Sequence, residues 1–175
     1  MADIRPKRDH LYEEAAASCG SALDRLARAY EADPDKRRDL LQEIHVALWR
    51  SLEHFEGRCS LKTWVYRIAH NTATSVVIRR KTRAPALVGL DEAEASLQED
   101  GSQSIDQQET LDRLWALIQK LKPQDKQVIL LYLEGMDAAS IGEITGFSPG
   151  NVATKIHRIK NLLSRRFHEG ERRAE

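Results

Sequence analysis

The 175-residue chain has only two cysteines, Cys19 and Cys59, far apart and in no Cys-x-x-Cys or Cys/His spacing. That speaks against a disulfide framework or a zinc site and leaves buried free thiols as the expectation. No apolar run approaches the roughly 20 residues that span a bilayer. The first residues, MADIRPKRDH, lack the apolar core of an export signal, so a cytoplasmic protein without membrane insertion is expected. None of the six histidines has Glu three residues before it, as a di-iron bundle requires. Gly-rich phosphate loops, paired catalytic carboxylates and a Ser/His/Asp context are missing as well. The sequence therefore points away from an enzyme and away from any metal or cofactor. Strand-like alternation and internal repeats are absent, and the net charge is zero, which gives no overall bias toward nucleic acid or membrane.

What the chain does have is charge in blocks. No acidic residue occurs from Gly57 to Leu90, a stretch that holds Arg58, Lys62, Arg67, Arg79, Arg80, Lys81 and Arg83. From Ala84 to Gln108 the pattern inverts, with Asp91, Glu92, Glu94, Glu99, Asp100 and Asp106 and no Lys or Arg. After Gly150 the chain is basic again. Such segregation suits a protein with separate surfaces for separate partners.

Helical periodicity runs through both ends. A first helix is expected at about Leu11 to Tyr30. Leu41, Ile44, Leu48, Leu52 and Phe55 then step by three and four, with Asp33 as N-cap and Pro34 at the first helical position. Gly57 breaks that pattern. Ser60 caps a third helix whose inner stripe reads Leu61, Val65, Ile68, Thr72 and Val76. Residues 84–108, with Pro85, Gly89 and Gly101, read as a flexible acidic linker. Beyond it, Ser104 and Gln107 fit a capping box ahead of Leu111, Leu114, Ile118 and Leu121. Pro123 opens a helix carrying Val128, Leu131 and Tyr132, which Gly135 closes. The fold class is all-α, with two small helical domains at 1–83 and 109–175.

The most informative stretch is GEITGFSPGNVATKIHRIK, Gly142 to Lys160. Asp137 caps a short helix carrying Ile141 and Ile144, Gly142 permits a close helix crossing, and Gly146 supplies a left-handed turn. Ser148 caps the next helix and Pro149 starts it. This second helix buries Val152, Ile156, Ile159 and Leu163 and exposes Asn151, Thr154, Lys155, Arg158 and His157. The pattern is that of a helix-turn-helix, whose second helix reads base edges in the major groove. Asn and Lys or Arg suit adenine and guanine, while Lys160, Arg165 and Arg166 suit phosphates. The competing reading is an αα-hairpin with a solvated basic face.

Two longer runs carry a resemblance. KLKPQDKQVILLYLEGMDAASIGEITGFSPGNVATKIHRIKNLL resembles region 4, and RRDLLQEIHVALWRSLEHFEGRCSLKTWVYRIAHNTA resembles region 2, of the extracytoplasmic-function (ECF) group of bacterial sigma factors, group 4, which has regions 2 and 4 only. The resemblance implies a protein that binds core RNA polymerase through the beta-prime clamp and the beta flap. It implies minus-thirty-five recognition by Ser148, Asn151, Thr154, Lys155, Arg158, Lys160 and Arg165. Region 2 would dock on the polymerase through Asp39, Leu40, Gln42 and Glu43, a stretch that also reads as a solvated outer face. It would hold melted minus-ten DNA with the Arg58, Cys59, Ser60 loop and with Lys62, Tyr66, Arg67 and Asn71, Trp64 being the more core-like of the aromatic pair. The linker would thread the polymerase near its active centre and RNA exit path, its alternative being a disordered spacer. An anti-sigma factor is implied as a controlling partner. A different class of function stays open on the residues alone: a helix-turn-helix regulator whose N-terminal bundle senses a ligand or dimerises.

Overall fold

The computed structural model describes residues 4–83 and 103–174, and within them the secondary structure is helical. Helix α1, Ile4–Tyr30, starts earlier than its apolar periodicity suggests. Helix α2, Pro34–Ser51, begins as the sequence indicates, with the Asp33 carboxylate accepting from the backbone N–H groups of Asp35 and Lys36 at 2.9 and 3.0 Å. These N–H groups, that of Lys36 above all, hold the Asp33 carboxyl below the usual range. A 3-10 turn, Leu52–His54, ends the helical run before Gly57, whose φ of 73° is left-handed. Helix α3, Leu61–Arg83, is capped by Ser60, whose Oγ accepts from Thr63 N–H at 3.1 Å.

These three helices pack on one another. The buried stripe of α2 is Leu40, Ile44 and Leu48, one helical turn apart. Leu41, expected inside, is only half-buried. On α3 the buried face is Val65, Tyr66, Ala69, His70, Ala73 and Val76, turned relative to the expected stripe, with Leu61, Ile68 and Thr72 at its margins. The small Ala69 and Ala73 let α3 sit close to its neighbours, so the inner face follows size as well as hydrophobicity. Cys19 belongs to this core, whereas Cys59 is half-exposed.

The second half is α4, Gln103–Gln119, α5, Pro123–Leu133, α6, Ala138–Thr145, and α7, Pro149–Ala174. Because α4 begins at Gln103, Ser104 falls inside its first turn and is not its cap, and residues 103–108 of the expected linker are helical. The acidic residues Asp91 to Asp100 lie outside the described residues. Gly135 closes α5 with φ 76°. Tyr132, expected in the apolar part of α5, is exposed, and Ile129 and Leu130 are buried beside Val128 and Leu131.

The two halves touch. The Arg25 guanidinium reaches the Glu134 carboxylate through Nε and Nη2, each at 2.7 Å. Arg28 pairs with Asp112, and Gln119 donates to the Arg28 carbonyl at 2.7 Å. The Lys126 ammonium sits 5.0 Å from the centre of the Tyr30 ring and donates to the Gln119 carbonyl.

Candidate nucleic-acid interface

Helices α6 and α7 are set by their turn. The Asp137 carboxylate accepts from Ser140 N–H at 2.8 Å, which lowers the Asp137 pKa. Gly146, φ 79°, ends α6 and donates its N–H to the Gly142 carbonyl at 2.8 Å. A Cβ on Gly142 would lie 2.7 Å from the Phe147 carbonyl oxygen. The close approach at Gly142 is thus to the backbone of the turn, and the absent side chain lets the turn fold back over α6. Ser148 Oγ then accepts from Asn151 N–H at 3.3 Å, and α7 leaves at Pro149.

Val152, Ile159 and Leu163 are buried on one side of α7, and Ile156 is half-buried at the edge. Ser148, Asn151, Thr154, Arg158, Lys160 and Arg165 are exposed; Asn151, Thr154, Arg158 and Arg165 lie on one side of α7 with the half-buried Lys155, while Lys160, two residues from Arg158, points to the other side. They do not all hang free. Arg158 Nη2 lies 3.0 Å from both Asp125 carboxylate oxygens, and Lys155 Nζ lies 3.1 Å from Asp125 Oδ1. Lys160 stands 5.4 Å from the Tyr132 ring centre, and His157 hydrogen-bonds Asn161 at 3.0 Å. Lys122, Asp125, Lys155, Arg158 and Arg165 line one concave surface of about 910 Å3. Asp125 carries no sequence signal of its own, being a first-turn acid ordinary for any helix.

The basic stretch of α3 is less uniform. Arg58, Ser60, Lys62 and Asn71 are exposed and Cys59 half-exposed. Asn71 stands eleven residues beyond Ser60, about 16 Å along the helix. It is also nine residues from Lys62, which puts it on roughly the opposite side of α3. Asn71 and the Arg58 to Ser60 loop therefore do not form one pocket. Trp64 packs against the core as expected, but Tyr66 is buried as well. Trp64 is half-buried, its ring centre 5.5 Å from that of Phe55 at a tilt of 59°, and donates Nε1–H to Ser51 Oγ at 3.0 Å. Tyr66, expected to face DNA, is 3% exposed. Tyr66 lies on the buried face of α3 with Ala69, Ala73 and Val76, and burial first, then the Glu134 carboxylate, pushes its pKa up. Arg67 is occupied too, donating from Nη2 to the Glu143 carbonyl at 2.6 Å.

On the outer side of α2, Asp39, Gln42, Glu43, Val46 and Arg50 line a shallow concavity with Arg80 of α3. Glu43 is paired with Arg79 at 2.8 Å. Leu40, expected to dock on a partner, is fully buried: it lies one turn before Ile44 on the core stripe and is no surface contact. Exposed Val46 and Trp49 take the apolar part of this face, with the Arg8 guanidinium 3.5 Å from the Trp49 ring centre. Both interrupt the polar side of the amphipathic pattern, a signal visible in the sequence.

Two family models match the chain, Sigma-70 region 2 over residues 16–84 and Sigma-70 region 4 over residues 111–163. The ECF RNA polymerase sigma-E factor of Haemophilus influenzae is 30% identical over 139 residues, covering 74% of this chain and 73% of that protein. The chain belongs to the ECF RNA polymerase sigma factors. It is thereby an alternative sigma factor, of the family that directs core RNA polymerase to promoter DNA. The region 2 match decides against reading the N-terminal helices of this sigma factor as a sensing or dimerisation bundle. The ECF sigma factor SigW of Bacillus subtilis is 26% identical over 156 residues, 82% of this chain and 79% of that one. In fold, the sigma factor resembles RpoE of Bartonella quintana, solved with the anti-sigma factor NepR: the TM-score is 0.68 at 20% identity, covering 88% of this chain and 94% of that one. None of its described helices is long and apolar enough to cross a membrane.

Proposed function

We propose that this sigma factor divides its work between residues 1–83 and 109–175. The exposed face of α7, with Asn151, Thr154 and Arg158 and with Lys155 paired to Asp125 behind them, reads the minus-thirty-five element in the major groove, while Lys160 and Arg165 neutralise phosphates. The outer face of α2, with Asp39, Gln42, Glu43 and now Val46 and Trp49, docks on the beta-prime clamp. The Arg58 to Ser60 loop, Lys62, Arg67 and Asn71 contact minus-ten DNA at separate points along α3. Arg67 meets DNA once the two halves have moved apart and its bond to the Glu143 carbonyl is given up, whereas Tyr66, buried on the core face of α3, supports the surface from within. The protein works in the cytoplasm beside the polymerase, which supplies the chemistry. An anti-sigma factor that grips both halves is the regulator this reading expects.

The observation that carries the reading is the division of α7 into a buried apolar side and an open polar side at its N-terminal half. Arg158→Ala tests it. A lost charge-assisted hydrogen bond to a base edge should cost about 1–3 kcal/mol and relax preference at one base position. Arg165→Ala, the comparison, should weaken all sequences alike and flatten the salt dependence. Run-off transcription with purified core polymerase and binding to promoter variants give both readouts. Unchanged base preference in Arg158→Ala would place the recognition face elsewhere.

A further inference from the structure

Beside the exposed face of α7 the concave surface is basic, yet one carboxylate stands in it, Asp125 on the first turn of α5. A carboxylate there repels phosphates and lowers affinity for every DNA sequence. Its bonds say what it does in return. Both oxygens engage a single nitrogen of Arg158, Nη2, at 3.0 Å, which leaves Nη1 and Nε free to donate. Oδ1 also holds Lys155 Nζ at 3.1 Å, and that ammonium lies 4.9 Å from the Phe147 ring centre. The Asp125 and Lys155 side chains are 14% and 16% exposed, against 63% for Arg158. The buried pair is thus an anchor, and the arginine is what it presents.

We propose that Asp125 is a positioning residue for promoter recognition: it fixes the direction of the Arg158 guanidinium and withholds Lys155 from the phosphates. This rests on the reading that α7 enters the major groove. A free arginine reaches phosphates and bases alike, and its ordering on binding costs entropy. An arginine tied by one nitrogen presents its remaining donors in one orientation, so one base is favoured over others. Asp125 trades general affinity for discrimination.

The test uses holoenzyme assembled from the full chain and core polymerase. Its probes are a promoter-length duplex library with a randomised upstream element and one fixed non-promoter duplex titrated at several salt concentrations. Asp125→Asn should lose preference at the base position that Arg158→Ala affects, and the double variant should lose no more there. It should bind the non-promoter duplex about threefold to tenfold more tightly, with a salt slope steeper by about one as Lys155 is freed. Asp125→Glu, which keeps the charge, should restore the preference, whereas damage to the fold would not be rescued in this way. If Asp125→Asn keeps the preference that Arg158→Ala abolishes, Asp125 does not position Arg158, and the recognition reading stands. If Arg158→Ala alters no position, the recognition reading falls and takes this inference with it.

Discussion

His70 lies in the core of the first half, 1% exposed, with Nδ1 3.2 Å from the Tyr30 hydroxyl. Burial disfavours the imidazolium and lowers the His70 pKa from 6.5 to about 3. Tyr30, itself pushed up to about 12 by burial, stays protonated throughout the range that matters. In the folded chain His70 is therefore neutral, while in the unfolded chain it takes up a proton below about pH 6.5. The unfolded state then binds more protons, so stability is fully present above that pH and falls as pH drops toward the folded value. The slope is about 1.4 kcal/mol per pH unit, so near pH 5 this one group should remove about 2 kcal/mol. Against a total of about 5–15 kcal/mol that is a large share. Urea unfolding at about pH 7.5 and about pH 5, followed by helical circular dichroism, reads the difference. His70→Gln keeps a hydrogen-bonding partner for Tyr30 but cannot take up a proton. It should lose about 2 kcal/mol less than wild type between the two conditions, whatever its own stability. Equal losses in the two proteins would show that His70 is not held neutral.

Gly142→Ala sets helix propensity against sterics: alanine favours a helix by about 1 kcal/mol, but a Cβ 2.7 Å from the Phe147 carbonyl must push the turn away. A net destabilisation of about 1–3 kcal/mol in thermal or urea unfolding is expected, and a stabilised variant would contradict it. Charge reversal of Asp39 and Glu43 together should weaken association with core polymerase in a pull-down titration. The loss of the exposed Glu43–Arg79 pair takes at most about 1 kcal/mol from the fold, so intact folding with unaltered core affinity would remove both from the interface. Asn71→Ala should keep core and duplex binding yet impair opening of the minus-ten element, with a pre-melted bubble template partly restoring activity. Wild-type permanganate reactivity of minus-ten thymines in that variant would exclude Asn71 from melting.

The sequence was most legible where a local rule acts alone. Asp33, Ser60, Asp137 and Ser148 all accept backbone N–H bonds at helix starts, because a cap involves only a side chain and the two or three residues after it. Gly57, Gly135 and Gly146 take positive φ for an equally local reason. The stripes of α2 and α3 were harder. Leu40 and Leu41 are chemically identical neighbours, and only the angle at which α2 meets α1 and α3 buries one and leaves the other at the margin. Tyr66 is covered because it stands on the stripe it shares with Ala69, Ala73 and Val76, one step round α3 from the expected stripe, while Trp64 stays half-buried against Phe55. Asp125 was invisible because its meaning lies in two cations on another helix thirty or more residues on.

The contacts between the halves say how firmly they are joined. Arg25 and Glu134 meet at the surface, where an ion pair contributes about 0.2–1 kcal/mol, and Arg28 and Asp112 are each about a third exposed. Arg67 gives the Glu143 carbonyl a hydrogen bond that water or a phosphate oxygen would replace at a net difference of about 0.5–1.5 kcal/mol. The apolar share of the junction includes Tyr30 under the Lys126 ammonium and Trp115, whose ring centre lies 5.5 Å from the Arg28 guanidinium. The polar contacts separate at less cost than the buried side chains within each half, among them Leu23, Leu48, Leu131 and Ile141. Separation releases Arg67 from the Glu143 carbonyl, a cation of the kind that single-stranded DNA takes at its phosphates. On the proposed minus-ten reading the junction and DNA would compete for Arg67, whose hydrogen bond to the Glu143 carbonyl a phosphate oxygen can replace.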